Sequence, residues 1–449
     1  MAFLPEFDRL DDRSGNALLY RWIKYRREEL FEELRVRRPS LRFWSHHPGN
    51  PDLPAERGPG VASLITRRAD VRHALANYSM RPYVLANRFL LSEDDAGVHA
   101  RLRKALSDSL EVEDHDGMLD AAIGSAWRIH LPAGREPTER RSLDVRQFGR
   151  DTALAFARRF FGLPEDRDAP DRLAHWSERG YERFIWKLHA RHFVPDAPDP
   201  RNEALAEIGT LVGHHWQNPV PGSMIDRLKA HVDAQRGLTE ARLIANVIGS
   251  LQGMVDNAMT GACYALNALV LGGKMDTVRL LARDGRLDVI RSMLHEAHRT
   301  DTPSPFLPRR LLAADGTDAD ADADADASMA EPGSDAHIVC AIGAALGDPA
   351  AETDSDPDGW DLRLGHGRHA CAGKRIGDDL MVRIVVAVAR LEGIEVEEPL
   401  QKRWGWIVSS FSVSGLVTGD AVDAAGSRSA SASTDPASRT APGTAGKAS

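Results

Sequence analysis

From Leu243 to Gly273 the chain carries a single charge, Asp256, and the run stops on Gly272-Gly273. About thirty residues at roughly 1.5 Å of rise each make about 45 Å of helix, and a glycine pair is a normal helix stop. That length would allow a membrane span, but Asn246, Gln252, Asp256, Asn257 and Asn267 punctuate it. The spacing predicts a buried central helix, because a helix that is apolar on every side has to be covered by other elements. A carboxylate inside such a helix is costly unless it is paired or used. Asp256 is therefore a candidate functional residue.

The remaining pattern is mostly helical. Apolar residues recur at helical spacing over 16–36, 97–112 and 150–162, whereas strand-like runs are short: Gly60–Thr66, Ala336–Ile342 and Trp404–Val413. The expected fold class is a mainly helical α+β domain with small sheets. The 449 residues are long enough for a sizeable core, and residues 1–420 read as one domain. Residues 317–327, TDADADADADA, read as a solvated acidic insertion, since a calcium loop needs a central Gly and a terminal Glu. The Ala-, Ser- and Thr-rich residues 421–449 read as a disordered tail. A net charge of −9 argues against a nucleic-acid binder. Three scattered cysteines, Cys263, Cys340 and Cys371, make no disulfide framework and suit a reducing cytoplasm. The charged first thirty residues hold neither a signal peptide nor a membrane anchor.

The chemistry concentrates in Leu364-Gly365-His366-Gly367-Arg368-His369-Ala370-Cys371-Ala372-Gly373. Glycines allow positive φ and close backbone approach. Beyond them, Ile376, Leu380, Met381, Ile384, Val385, Val388 and Leu391 share one helical face. Cys371 thus stands where a glycine-rich loop becomes a helix, and exposed amides and the helix dipole there favour a thiolate. Three uses compete on this chemistry alone. A nucleophile would want a histidine base and an oxyanion hole. A zinc site could take His366, His369 and Cys371 but lacks a fourth ligand. A haem iron needs only one axial thiolate, and the C-x-x-C-H of covalent c-type haem is absent.

This segment resembles the haem-binding loop of the cytochrome P450 family, F-G-x-G-x-[HR]-x-C-x-G, with Leu364 in place of the Phe. The resemblance extends over roughly residues 60–415. It implies heme b bound between the long distal helix and the helix after the cysteine loop. Cys371 would be the iron ligand, Gly365, Gly367 and Gly373 the loop glycines, and His369 a propionate partner. SEDDAGVHARLRKAL at 92–106 resembles the family's C helix, which places His99 and Arg103 at the haem edge. Arg309, with Arg310 beside it, resembles a further propionate arginine. Glu296 and Arg299 in HEAHRT resemble the E-x-x-R pair that locks the core, and Arg363 is the nearest match to the meander arginine that joins that pair.

Gly253-Met254-Val255-Asp256-Asn257-Ala258 resembles the distal [AG]-G-x-[DE]-T-[TS] pattern with departures. Met254 replaces a Gly, and Asn257 and Ala258 replace the two hydroxyl residues. Asp256, Asn257 and Thr260 are the candidate proton-handling residues, Thr260 only if the helix is distorted. The resemblance implies a monomeric monooxygenase that oxidises an apolar small molecule with dioxygen. Electrons would come from NAD(P)H through a ferredoxin reductase and a ferredoxin, docked on Arg101, Lys104, Arg368, Lys374 and Arg375. The alternative is a peroxygenase or lipid-hydroperoxide isomerase without an electron partner, because some hydroperoxide-using members carry Asn at the distal position. A haem carrier or sensor is the non-enzyme alternative. Residues 79–91, 181–194 (with Trp186) and the distal helix are candidate pocket segments.

Overall fold

The computed structural model describes residues 2–48, 59–78, 89–93, 95–132, 140–163, 172–185, 193, 203–299, 301–310, 337–349 and 359–417. The Asp-Ala run, the 421–449 tail, Trp186 and most of 79–91 lie outside the described residues.

Helical periodicity becomes α1 (Phe3–Phe7), α2 (Asp12–Tyr25), α3 (Arg27–Arg37), α4 (Arg68–Asn77), α5 (Ala96–Leu110), α6 (His115–His130), α7 (Val145–Phe161) and α8 (Arg172–Ile185). There follow α9 (Glu203–Gln217), α10 (Met224–Lys229), α11 (Glu240–Leu271), α12 (Met275–Arg283), α13 (Leu287–Ala297), α14 (Ile342–Leu346) and α15 (Lys374–Val388). The expected helix over 16–36 is two helices. Arg26 breaks it at φ −142°, ψ 41° and places its guanidinium over the Trp22 ring, 4.1 Å from the centroid. Neither Gly nor Pro marks that break.

The strands form two small sheets. One has the order β1 (Ser40–Pro48), β2 (Pro59–Ile65), β5 (His337–Ala341), β4 (Phe306–Arg310), and the β2–β5 pair is parallel. The other has the order β3 (Arg140–Asp144), β7 (Ile407–Val417), β6 (Leu391–Arg403). The last expected strand begins three residues late because Trp404 and Gly405 take positive φ, 55° and 88°, and turn β6 into β7.

The long helix is central, as its composition requires. Thr239 caps its start by accepting from the Arg242 amide, and Gly272 ends it. Helices α7, α8, α9, α13 and α15 pack around it. Leu243, Val247, Leu251, Val255 and Leu266 join Phe148, Phe156, Leu380 and Ile384 in the main core. Each such side chain taken out of water stabilises by about 1.5–3 kcal/mol. A second core, around Trp22, Phe31, Phe43, Phe306 and Trp406, joins the N-terminal helices to the first sheet. Among the described residues no helix is long and apolar enough to cross a membrane.

Candidate active site between the cysteine loop and the central helix

Gly365 and Gly367 take φ of 83° and 67°, which L side chains resist. A Cβ on Gly367 would also come within 2.8 Å of Ala76 Cα, so glycine lets the loop seat on α4. The Cys371 amide donates to the Leu364 carbonyl (2.8 Å) and closes the loop, and Gly373 leads into α15. Cys263 and Cys340 are buried, whereas Cys371 has accessible surface. Yet Cys371 is also deep enough in the protein to be strongly desolvated. Desolvation raises the Cys371 pKa, and the Gly373 amide and the Arg103 charge oppose it without prevailing. The loop and helix terminus alone therefore do not ionise this thiol. A metal cation on the sulfur would.

Cations gather beside the loop. From α5, Arg103 donates to the carbonyls of Arg368 (3.2 Å) and Ala370 (2.7 Å) and holds the loop in place. One turn earlier, buried His99 meets the His369 ring edge-on, with centroids 5.0 Å apart. Arg309 on β4 is wholly buried and donates to the Pro308 carbonyl (2.9 Å). His369 is 3% exposed, and neither ring nitrogen makes a well-formed hydrogen bond. Burial first, then the charges of Arg309, Arg368 and His99, push its pKa down to about 3. Buried donors and like charges are costly together unless an anion joins them. The residues present thus fit a haem, with an exposed cysteine on the loop and, beside it, the Arg103 and Arg309 cations and the His99 and His369 rings as donors for carboxylates.

The central helix supplies the opposite wall. Asp256 is buried and accepts from Ser177 Oγ of α8 (3.0 Å). Burial raises its pKa to about 6, against the pull of Arg150 and Arg146, which pair with Glu178 (2.9 and 2.6 Å). Asn257 Oδ1 accepts from the Tyr181 hydroxyl (2.9 Å). The helix runs unbroken, so Thr260 stays almost a turn from Asn257, buried with its hydroxyl against that of Tyr181. Asn246 Oδ1 accepts from the Leu90 amide (2.9 Å), and Leu90 also borders His369. Leu90 thus connects the central helix to the edge of the cysteine pocket.

No protein-family model matches the chain, and no curated protein matches it in sequence. Solved structures do match. Epothilone B-bound cytochrome P450epoK is 16% identical, over 88% of this chain and 98% of its own, with a TM-score of 0.65. The bacillaene polyketide synthase cytochrome P450 PksS of Bacillus subtilis 168 is also 16% identical over the same shares, with a TM-score of 0.62. P450BioI, solved with an acyl carrier protein ligated to hexadec-9Z-enoic acid, is 15% identical over 88% of this chain and 99% of its own, with a TM-score of 0.62.

The chain has the cytochrome P450 fold.

Within that P450 fold the structure brings His99, Arg103, Arg309, His369 and Cys371 together. Arg309 lies buried at the cluster. The expected lock is differently made. Glu296 and Arg299 do pair (3.5 Å), but Glu296 is 58% exposed, so they are not the buried link that the resemblance implies. The buried link is Arg363 with Asp378 (2.8 and 3.0 Å), against which His295 Nε2 lies. It joins the turn before the cysteine loop to α13 and α15. One turn on, buried His298 donates from Nε2 to the Gly261 carbonyl of the central helix (2.8 Å), and burial lowers its pKa to about 4. On α13 Ile290 and Leu294 are the buried positions; His295 is partly buried, and buried His298 caps the helix end. Tyr181, Ser177, Asp378 and His295 escaped sequence reasoning because their partners are 15 to 83 residues away. The i, i+3 histidine pair in HEAH was the one local signal for the lock.

Proposed function

We propose that this chain is a haem-thiolate oxidase of apolar small molecules, with Cys371 as the iron ligand. The observation that carries the proposal is the deep, accessible Cys371 sulfur flanked by the His369–Arg309–His99 cluster within a P450 fold. When bound, a thiolate-ligated haem supplies oxidising power, because the sulfur donates electron density that favours O–O cleavage. The protein's residues do the rest. Arg309, His369 and His99 hold the carboxylates, the Gly373 amide steadies the sulfur, and the central helix excludes water from the other face. Asp256, with a pKa of about 6, can hold or release a proton near neutrality.

The dioxygen route with NAD(P)H, a reductase and a ferredoxin is our first reading. It rests on Asp256 and on the exposed Arg101, Lys104, Arg368, Lys374 and Arg375 at the cysteine-loop end, a surface suited to an acidic electron carrier. Asn257 favours a second reading, in which peroxide is the oxidant and no electron partner is needed. The test supplies the haem-loaded protein with NADPH and surrogate ferredoxins in one arm and with peroxide alone in the other. We expect reductant-dependent product. Turnover with peroxide only, across several ferredoxins, would move the assignment to the second reading.

A further inference from the structure

We propose that Tyr181 is a positioning residue of the distal site, holding the Asn257 amide so that it offers an N–H donor where the sequence resemblance places a hydroxyl. This inference rests on the haem-thiolate reading. Tyr181 is 3% exposed and packs in the second core with Phe43, Phe193 and Phe306, which fixes its ring. Burial, and then the Asp256 charge, keep the phenol protonated against the smaller opposing pull of the Thr260 hydroxyl, so it is available to donate to Asn257 Oδ1. A side-chain amide has one oxygen to accept and one NH2 to donate. With the oxygen held by Tyr181, Nδ2 turns the other way.

Nδ2 stands over Gly253. A Cβ built there would meet Nδ2 at 4.0 Å and, among the described residues, nothing else within 4 Å. Asn246, Gly253 and Asn257 recur at spacings of seven and four and share one face of the helix. The Asn246 end of that face meets Leu90, which borders His369. The Nδ2 N–H therefore looks along the face that leads to the cysteine pocket. Asp256 is turned to Ser177 on α8 instead. Donor and acid are thus separated in this chain. Asn257 can hold an acceptor on the bound ligand but cannot relay a proton to it. Ligands carrying an acceptor atom beyond the iron, such as a hydroperoxide, cyanide or azide, are the class this arrangement selects.

Optical titration of the ferric, haem-loaded full chain tests this without turnover. Cyanide accepts a hydrogen bond at its far end, and imidazole presents no acceptor there. Tyr181→Phe, which keeps the ring, should weaken cyanide about fivefold, the scale of one net hydrogen bond, and leave imidazole within about twofold. Asn257→Ala should cause a similar cyanide loss, and the double variant little more, as for groups acting as one unit. If Tyr181→Phe fails to fold, Asn257→Asp replaces the donor by an acceptor and should weaken cyanide more than Asn257→Ala. Loss with Asn257→Ala but not with Tyr181→Phe would overturn the role of Tyr181. Unchanged cyanide affinity in every variant would overturn the donor itself. Failure of the unaltered chain to take up haem would instead overturn the reading beneath, and this inference with it.

Discussion

Single residues carry the chemistry, and their surroundings set its direction. Cys371 keeps its proton because desolvation outweighs the Gly373 amide and the Arg103 and Arg363 charges. In the proposed haem-thiolate reading, iron on the sulfur would reverse that balance, and haem uptake and thiolate formation would be coupled. Cys371→Ser should abolish the strongly red-shifted band of the reduced CO complex; retention of that band would move the ligand to another cysteine. Asp256 yields a prediction in pH. Its pKa is about 6 in the folded state against an ordinary 3.8, because burial disfavours the anion. The native state therefore binds the proton more tightly than the unfolded chain. Stability from this group is complete below pH 3.8 and is lost as pH rises through about 6. Asp256→Asn removes the loss. In denaturant titrations the variant should gain on the unaltered protein by on the order of 3 kcal/mol between about pH 4 and pH 7. Parallel curves would mean that Asp256 is solvated or fully paired.

Among the elements, α13 and α15 meet the turn before the cysteine loop through a buried charge. Arg363 and Asp378 have side chains 3% and 5% exposed, and removing either strands its partner away from water. Asp378→Ala should cost about 3–5 kcal/mol, the range for breaking a buried pair. It should also lower haem occupancy, since Arg363 lies eight residues before Cys371. Glu296→Ala removes an exposed partner and should change stability by no more than about 1 kcal/mol. Equal losses in the two variants would show that the E-x-x-R pair, and not Arg363–Asp378, carries the link. His298 ties α13 to the central helix through one carbonyl, so α13 supports the proximal loop and the long helix together.

At the scale of the whole molecule, helices wrapped on one apolar helix make the pocket, and two small sheets fix its edge. Arg309 reaches the cation cluster because β4 pairs with β5 at Arg309–Ile338, directly below β2. The acidic run at 317–327 falls between β4 and β5 in sequence, and its composition offers no apolar surface to bury. Deleting it should leave the CO band and the melting temperature unchanged within about two degrees, where one kcal/mol would shift a chain of this size by about 1 °C. A larger drop would place that run against the sheet.

The sequence by itself determined the central helix, the cysteine loop and the mainly helical class. These depend on local facts: an almost uncharged run closed by glycines, two glycines that must take positive φ, and apolar residues at helical spacing. Through resemblance to a long motif it implied one edge for His99, Arg103, Arg309 and His369, and in the structure the His99 and His369 rings meet while Arg103 holds the loop. It expected a buried Glu296–Arg299 pair, but α13 buries Ile290 and Leu294 and leaves Glu296 outward, and a helix face is set by packing against α15 and the central helix. The partners of Asp256 and Asn257 were equally out of reach. Ser177 and Tyr181 are 79 and 76 residues away in sequence, and only the crossing of α8 over the central helix brings them within hydrogen-bond distance. Whether a buried acid faces the cofactor or the neighbouring helix is decided by that crossing, because burial and pairing energies depend on three-dimensional neighbours that no local pattern encodes.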